Sequence, residues 1–337
     1  MGRKLRRHLK RLFDFNDSGV DEVITLAFSR RGTLGQHKGS VRFLHTLLDG
    51  TVDFDKLDYV ERDAHHCGVP YGNYLDIERL VETMRVIQSN PAETPRLAFD
   101  WRGIGCLEQL ATARHQMYAN VYWHRAVRSA TAMFKHAFFL YAQLASTSRS
   151  IEQIFFDSNA DDAVLAAMHD LHGIPKRKQS AREAETVKNL IAAVSGYNRI
   201  LYKEVFGAHY SERTVNVWGR TYSDQRKSAA QLFSHLKQMN IFDRRADLLG
   251  EHNILIDCRA DEPPDFDLIP IIVHPNKPPI RLGDESRIIT DLKENFKHQA
   301  CRVRVFINPL TLRQSLQSRE NREQIEKAVE GFVDERE

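Results

Sequence analysis

Cysteine is scarce: Cys67, Cys106, Cys258 and Cys301 are spread over 337 residues and none forms a CxxC pair. That excludes a disulfide framework or a four-thiolate zinc site as the basis of the fold. Long apolar runs are missing too. None approaches the roughly 18 residues that a membrane span needs, and no signal peptide opens the chain. The expected location is therefore the cytoplasm, with no membrane partner. A charge excess is also lacking, since 48 Lys and Arg stand against 45 Asp and Glu for a net +3. Such a balance neither demands a nucleic acid nor forbids an anionic ligand. No internal repeat or low-complexity tract is present. What remains is ordinary globular composition, 42% hydrophobic and 28% charged, in a chain long enough to bury a core without staples.

Most of the chain reads as helix. Met1 to Phe15 is basic, with Arg3, Lys4, Arg6, Arg7, Lys10 and Arg11 and with Leu5, Leu9 and Leu12 at helical spacing. It suits either a phosphate- or nucleic-acid-binding arm or a solvated helix face. Helical patterns follow at Val20–Phe28, Ser40–Leu48, Asp55–His66 and Asp76–Gln88, and then over one long stretch, Gly105–Ser146. Arg96–Asp100 reads as a short strand. Shorter helices fit Ala163–His172, Ala181–Ser195 and Asp224–Met239. Near residue 250 the composition shifts to β-branched runs, Asn253–Cys258, Leu268–His274 and Arg302–Ile307, separated by prolines. Helices are again expected over Glu285–His298 and Leu312–Val333. The division expected is a helical domain, 1–245, and a small α+β segment, 246–337.

Two runs carry side chains suited to a polar ligand. In DFDKLDYVERD, Asp55, Tyr59 and Asp63 fall at i, i+4 and i+8 and share one helical face. Asp55 could contribute to a divalent metal site, Tyr59 could stack on a sugar or base, and Asp63 could accept a hydrogen bond from a sugar hydroxyl. An exposed helix laced by salt bridges, such as Asp58 with Arg62, accounts for the same spacing. In RHQMYANVYWHR, Arg114, Tyr118 and Tyr122 repeat the i, i+4, i+8 pattern and suit a phosphate and a base. A core face whose tyrosine hydroxyls find partners is the bland equivalent.

Taken together, Asp-Lys-Leu-Asp-Tyr-Val-x-Arg-Asp, His-His-x-Gly-Val-Pro-Tyr-Gly and Asp-Ile-x-Arg-Leu resemble the HD-domain deoxynucleoside triphosphate triphosphohydrolases. Ala113–His124, Tyr197–Val205 and Arg302–Asn308 extend the resemblance, which covers roughly residues 40 to 310. It implies a mostly α, HD-domain-like bundle and hydrolysis of a dNTP to deoxynucleoside and triphosphate at a divalent metal (Mg, Mn, Fe or Zn). It also implies roles. Asp55 matches a metal ligand, and Lys56 and Arg114 match residues that grip the triphosphate. Tyr59 matches the tyrosine against the deoxyribose, and Asp63 the acceptor for the 3′-hydroxyl. Tyr122 matches a position beside sugar and base, and Tyr118 one that is His in some relatives. Oligomers are frequent in the family.

The sequence departs from the pattern in one respect. The family's His and His-Asp pair have no counterpart before Asp55, where the only histidines are His8, His37 and His45. The bundle is thus expected to be incomplete at its N-terminus, and no catalytic residue is assigned. One carboxylate does not hold a catalytic divalent ion by itself. His169-Asp170 follows Asp55 in the wrong order and reads as a solvated helix end. His65 and His66 diverge by about 100° on a helix. The expected function is an HD-type phosphohydrolase, or else a non-catalytic nucleotide-binding or assembly subunit, as a homo-oligomer or beside a partner carrying the HD segment.

Overall fold

A computed structural model describes residues 39–88, 90, 93–145, 161–172, 174, 181–195, 199–209, 211–258, 264–300, 302–316 and 322–336. The basic segment 1–15, the helix expected at Val20–Phe28, His8, His37 and Cys301 lie outside these. The described residues fall into two compact units, one within 1–121 and 262–297, the other within 122–261 and 298–337. Each unit is made of two separate stretches of chain. The units therefore do not follow the division at residue 245. The composition shift near 250 marks a change of element inside unit two.

Along unit one the elements are α1 (Gly39–Leu48), α2 (Phe54–Cys67), α3 (Ile77–Glu82), β1 (Met84–Ile87), β2 (Arg96–Asp100) and α4 (Ile104–Met117). Helix α2 begins where the Asp53 side chain accepts the Lys56 amide at 2.8 Å, the usual way an N-cap satisfies an orphan donor. It buries Leu57, Val60 and Ala64 and ends at Gly68, whose φ of 66° is the left-handed cap that glycine adopts without strain. The helix expected over Asp76–Gln88 stops early. Thr83 caps α3, and Met84–Ile87 turns extended to pair antiparallel with Arg96–Phe99. Ladder hydrogen bonds and the β-branched Val86 and Ile87 override the helical period there.

The long helix expected over Gly105–Ser146 is also divided. After Met117 the chain makes a π-helical turn, Tyr118–Tyr122, and then starts α5 (Arg125–Leu144). Unit two continues with α6 (Asp161–His169), α7 (Ala181–Ser195), β3 (Lys203–His209), α8 (Glu212–Trp218), α9 (Tyr222–Gln238), α10 (Ala246–Leu249) and β4 (Ile254–Cys258). The chain returns to unit one through β5 (Pro270–Ile272), β6 (Ile280–Arg281), α11 (Leu282–Glu285) and α12 (Arg287–Ala300). It ends in unit two with β7 (Arg302–Ile307) and α13 (Arg322–Asp334). The helix expected from Leu312 thus starts ten residues later; residues 309–311 and 314–316 are 3-10 turns.

Unit one holds a four-stranded sheet, β1-β2-β5-β6, in which only β2 and β5 run parallel. Its core gathers Leu57, Leu80, Phe99, Leu107, Leu110 and Ile271. Unit two holds a three-stranded antiparallel sheet, β3-β7-β4. Alternation along β7 splits its side chains between two cores. Val303, Val305 and Ile307 join Trp218, Leu232 and Phe332, while Phe306 joins Met133, Tyr141 and Leu190. A buried bidentate pair, Arg128 to Asp257 at 2.5 and 2.6 Å, ties α5 to β4. The chain is mostly helical, and among the described residues no helix is long and apolar enough to cross a membrane.

Candidate functional site

The site is built in unit one, where α2 packs against α4. The regular register of α4 puts Arg114 in its last turn, and the guanidinium reaches across to α2. There Arg114 Nε donates to the Tyr59 hydroxyl at 3.2 Å, and its Cζ lies 5.1 Å from the centre of the Tyr118 ring. Arg114 Nη1 is buried and has no hydrogen-bond partner. A buried guanidinium nitrogen left over in this way is a donor waiting for an acceptor, since such groups cost free energy when unpaired. Burial disfavours the Arg114 charge, but the oxygens of Tyr59 and Tyr118 outweigh that and raise its pKa. Burial likewise pushes the Tyr59 phenol up, against the pull of Arg114, so Tyr59 stays protonated at neutral pH.

The other residues of the two runs divide. Asp63 is half-buried one turn beyond Tyr59 on α2, with Arg62 Nε 3.7 Å from its carboxylate. Asp58 takes the salt bridge to Arg62. Lys56 is engaged within the N-terminal part of α2 and the turn before it. Its ammonium donates to the Gly50 carbonyl at 2.8 Å and pairs with the buried Asp53 carboxylate, which also accepts the Gly50 amide at 3.1 Å. Tyr118 opens the π turn and Tyr122 closes it. A π turn advances about 80° per residue instead of 100°, so the i, i+4, i+8 face expected for Arg114, Tyr118 and Tyr122 is interrupted at its middle member. The structure thus joins Tyr59, Arg114 and Tyr118 directly, sets Asp63 beside them along α2, and commits Lys56 elsewhere.

Asp55 is exposed in the first turn of α2. Among the described residues no group of three or more His, Cys, Asp or Glu is placed to hold a metal ion. The donor set around Asp55 therefore does not fit a divalent ion on its own, because a hard cation needs several oxygen or nitrogen ligands. His169 and Asp170 satisfy each other at 3.0 Å on an exposed helix end in unit two. His65 and His66 meet edge to face in the last turn of α2, both exposed. Among the described residues neither pair belongs to a group of three or more metal-ligating side chains.

Two features escaped the sequence reading. Phe296 of α12 packs on Tyr118 and His115, with ring centres 5.9 and 6.3 Å apart. Its only signal in the sequence is an apolar position on an amphipathic helix some 180 residues from Tyr118. In unit two, His136 is fully buried, with Nε2 3.0 Å from His252 Nδ1 and Nδ1 2.8 Å from the Tyr222 hydroxyl. No spacing rule links those three positions.

Residues 75–322 match the family described as HD associated region. Arg114, Tyr118 and Tyr122 lie inside the matched stretch, and the run from Asp55 to Asp63 precedes it. The chain is 32% identical over 121 residues to the uncharacterized protein MJ1154 of Methanocaldococcus jannaschii, covering 36% of this chain and 25% of that protein. It is 26% identical over 196 residues to the deoxynucleoside triphosphate triphosphohydrolase SAMHD1 homolog of Dictyostelium discoideum, covering 56% of this chain and 35% of that protein. The chain thus spans a quarter to about a third of these curated relatives. Its fold is similar to that of a phosphohydrolase (BT4208) from Bacteroides thetaiotaomicron. That similarity has a TM-score of 0.53 at 17% identity, over 90% of this chain and 70% of the other.

Proposed function

The chain belongs to the HD-associated-region family and is an HD-type phosphohydrolase-like protein, and on that premise we propose that it binds deoxynucleoside triphosphates through the Tyr59–Arg114–Tyr118 cluster. The observation that carries this reading is the half-buried Arg114, whose Nη1 atom is itself buried and unpartnered. A planar guanidinium held by a phenol on one side and a ring face on the other presents its remaining donors in a fixed fork, the geometry that suits phosphoryl oxygens. Tyr59, kept protonated, offers a ring for the sugar to lie against, and Asp63 an acceptor for a sugar hydroxyl. Tyr122, at the far end of the π turn, is assigned to the sugar and base. Lys56 joins the phosphate grip only by leaving Asp53, so it contributes less than Arg114.

The inherited reaction under this reading is release of triphosphate from a dNTP. Asp55 supplies at most one carboxylate of the metal site it implies, and among the described residues no set of three or more ligands completes one. That observation favours a second reading for the chain by itself: a nucleotide-binding subunit, working as a homo-oligomer or beside a partner that brings the HD segment. One experiment separates the two. The purified full chain is given each dNTP, with Mg²⁺ or Mn²⁺ at low salt, and both nucleotide binding and triphosphate release are measured. Binding that is lost in Arg114→Ala, without release, supports the subunit. Release that EDTA stops and Asp55→Ala abolishes supports the enzyme. Full binding by Arg114→Ala rejects the cluster as the nucleotide site.

A further inference from the structure

We infer that Phe296 is a positioning residue for Arg114, acting through Tyr118. The inference rests on the reading of Arg114 as the anion-gripping group. An arginine side chain has many rotamers open to it, so a preorganised grip needs something to hold the fork still. Tyr59 fixes Nε, and Tyr118 supports the guanidinium face. Tyr118 in turn stands at the first residue of the π turn, a rare backbone form that persists only where surrounding contacts enforce it. Phe296 supplies such a contact. It is 5% exposed and meets the last turn of α4 and the first residue of the π turn, tilted against His115 at 54° and against Tyr118 at 58°. It therefore grips α4 on both sides of the point where regular helix gives way to the π turn.

The order of contact is Phe296 ring, Tyr118 ring, Arg114 guanidinium. Arg114 and Phe296 also line one small cavity with Ala111, His115, Leu292 and Lys293. Lys293, three residues before Phe296 on α12, is held by Asp267 at 2.7 Å, which pins the turn of α12 that carries the ring. Remove the ring and Tyr118 loses its backing. Its ring is then less tightly held, and the face on which Arg114 lies is less fixed. The phosphate grip then weakens through Tyr118 and Arg114.

The test uses the full chain and inorganic triphosphate as probe, with affinity measured by calorimetry and stability by thermal unfolding. Arg114→Ala is the control for the underlying reading; Phe296→Ala and Phe296→Leu remove the ring, and Phe296→Tyr keeps it. Ile289→Ala hollows the wall of the same cavity without taking a ring from the stack. Expected is a roughly three- to thirtyfold weaker affinity in Phe296→Ala, the span of one cation–π support. Phe296→Leu, which keeps most of the volume, shares that loss if Phe296→Ala does not fold. Phe296→Tyr restores wild-type affinity. Ile289→Ala lowers the melting temperature but leaves the affinity alone. Wild-type affinity in both ring-less variants, with affinity lost in Arg114→Ala, overturns the role of Phe296 and leaves the nucleotide site standing. An equal loss in Ile289→Ala also overturns it, because the effect is then general loosening. Undiminished affinity in Arg114→Ala removes the nucleotide reading itself.

Discussion

At the scale of single residues, two polar groups set the terms, one half-buried and one fully buried. The first is the Tyr59 hydroxyl, the acceptor for Arg114 Nε. Tyr59→Phe keeps the ring but strands a second guanidinium nitrogen beside Nη1, and leaving a buried donor unmade costs about 1–3 kcal/mol. The expected outcome is a lower urea midpoint for unit one and weaker dNTP binding, with dNTP and NTP affected alike because the ring still meets the sugar. Tyr59→Ala, which also removes the ring, is expected to weaken dNTP more than NTP. The second group is His136. Burial, aided by Arg226 and His252, holds its pKa well below the ordinary histidine value. Around it stand His252, Tyr222 with Lys135 over its ring, Arg226 on α9, and Glu251 beside His252. The unfolded chain takes up a proton at this histidine below about pH 6.5, whereas the folded chain does not. Stability is therefore full above that pH and falls as the pH drops from there toward the folded pKa. The slope is up to about 1.4 kcal/mol per pH unit for one such group. Thermal unfolding between pH 7 and pH 5 measures it, and His136→Gln should reduce it but not abolish it, because burial also holds the His252 pKa below the ordinary value.

At the scale of elements, α2 shows what local chemistry can specify. Its N-cap, its buried i, i+3 and i+7 positions and its terminal glycine are all written in DFDKLDYVERDAHHCG. Gly68 has open space where a side chain would go but a φ of 66°. Gly68→Ala thus meets strain alone, about 1–2 kcal/mol for a left-handed alanine, and Gly68→Asn should recover part of it. Asp53→Ala removes the cap and the carboxylate that holds Lys56, so it should cost α2 at least as much as an ordinary N-cap, about 0.5–2 kcal/mol. Chemical denaturation of these variants at neutral pH reads both. The strand β1 and the π turn at Tyr118 were not legible in the same way. Met84–Ile87 follows a helical pattern until its pairing with Arg96–Phe99 is known, and that partner starts nine residues further along the chain. Tyr118–Tyr122 continues an uninterrupted helical pattern, and the contact with Phe296 comes from α12, far along the chain. Both are tertiary effects, which a local pattern does not carry.

At the scale of the whole chain, the same limit explains the domains. Composition changes near residue 250 because the strands β4 to β7 are concentrated after it. Yet β5 and β6 complete the sheet of unit one, while β4 and β7 build that of unit two. Strand character is local; the choice of sheet is not. The site follows a similar division. Asp55, Tyr59, Asp63, Arg114 and Tyr118 could be picked from the sequence because their spacing and their family resemblance coincide. The metal those residues imply needs companions for Asp55, and among the described residues no set of three or more His, Cys, Asp or Glu is placed to hold an ion. A lone exposed carboxylate binds a divalent ion weakly, because affinity comes from several ligands at fixed distances. Calorimetric titration of the full chain with Mn²⁺ should accordingly give the same heats for wild type and Asp55→Ala. Triphosphate, by contrast, should distinguish wild type from Arg114→Ala. If a saturable Mn²⁺ site were present and lost in Asp55→Ala, its other ligands would have to come from outside the described residues or from a second copy of the chain. Dilution then tells the two apart. A site shared between copies weakens with the concentration of chain, and a site within one copy does not.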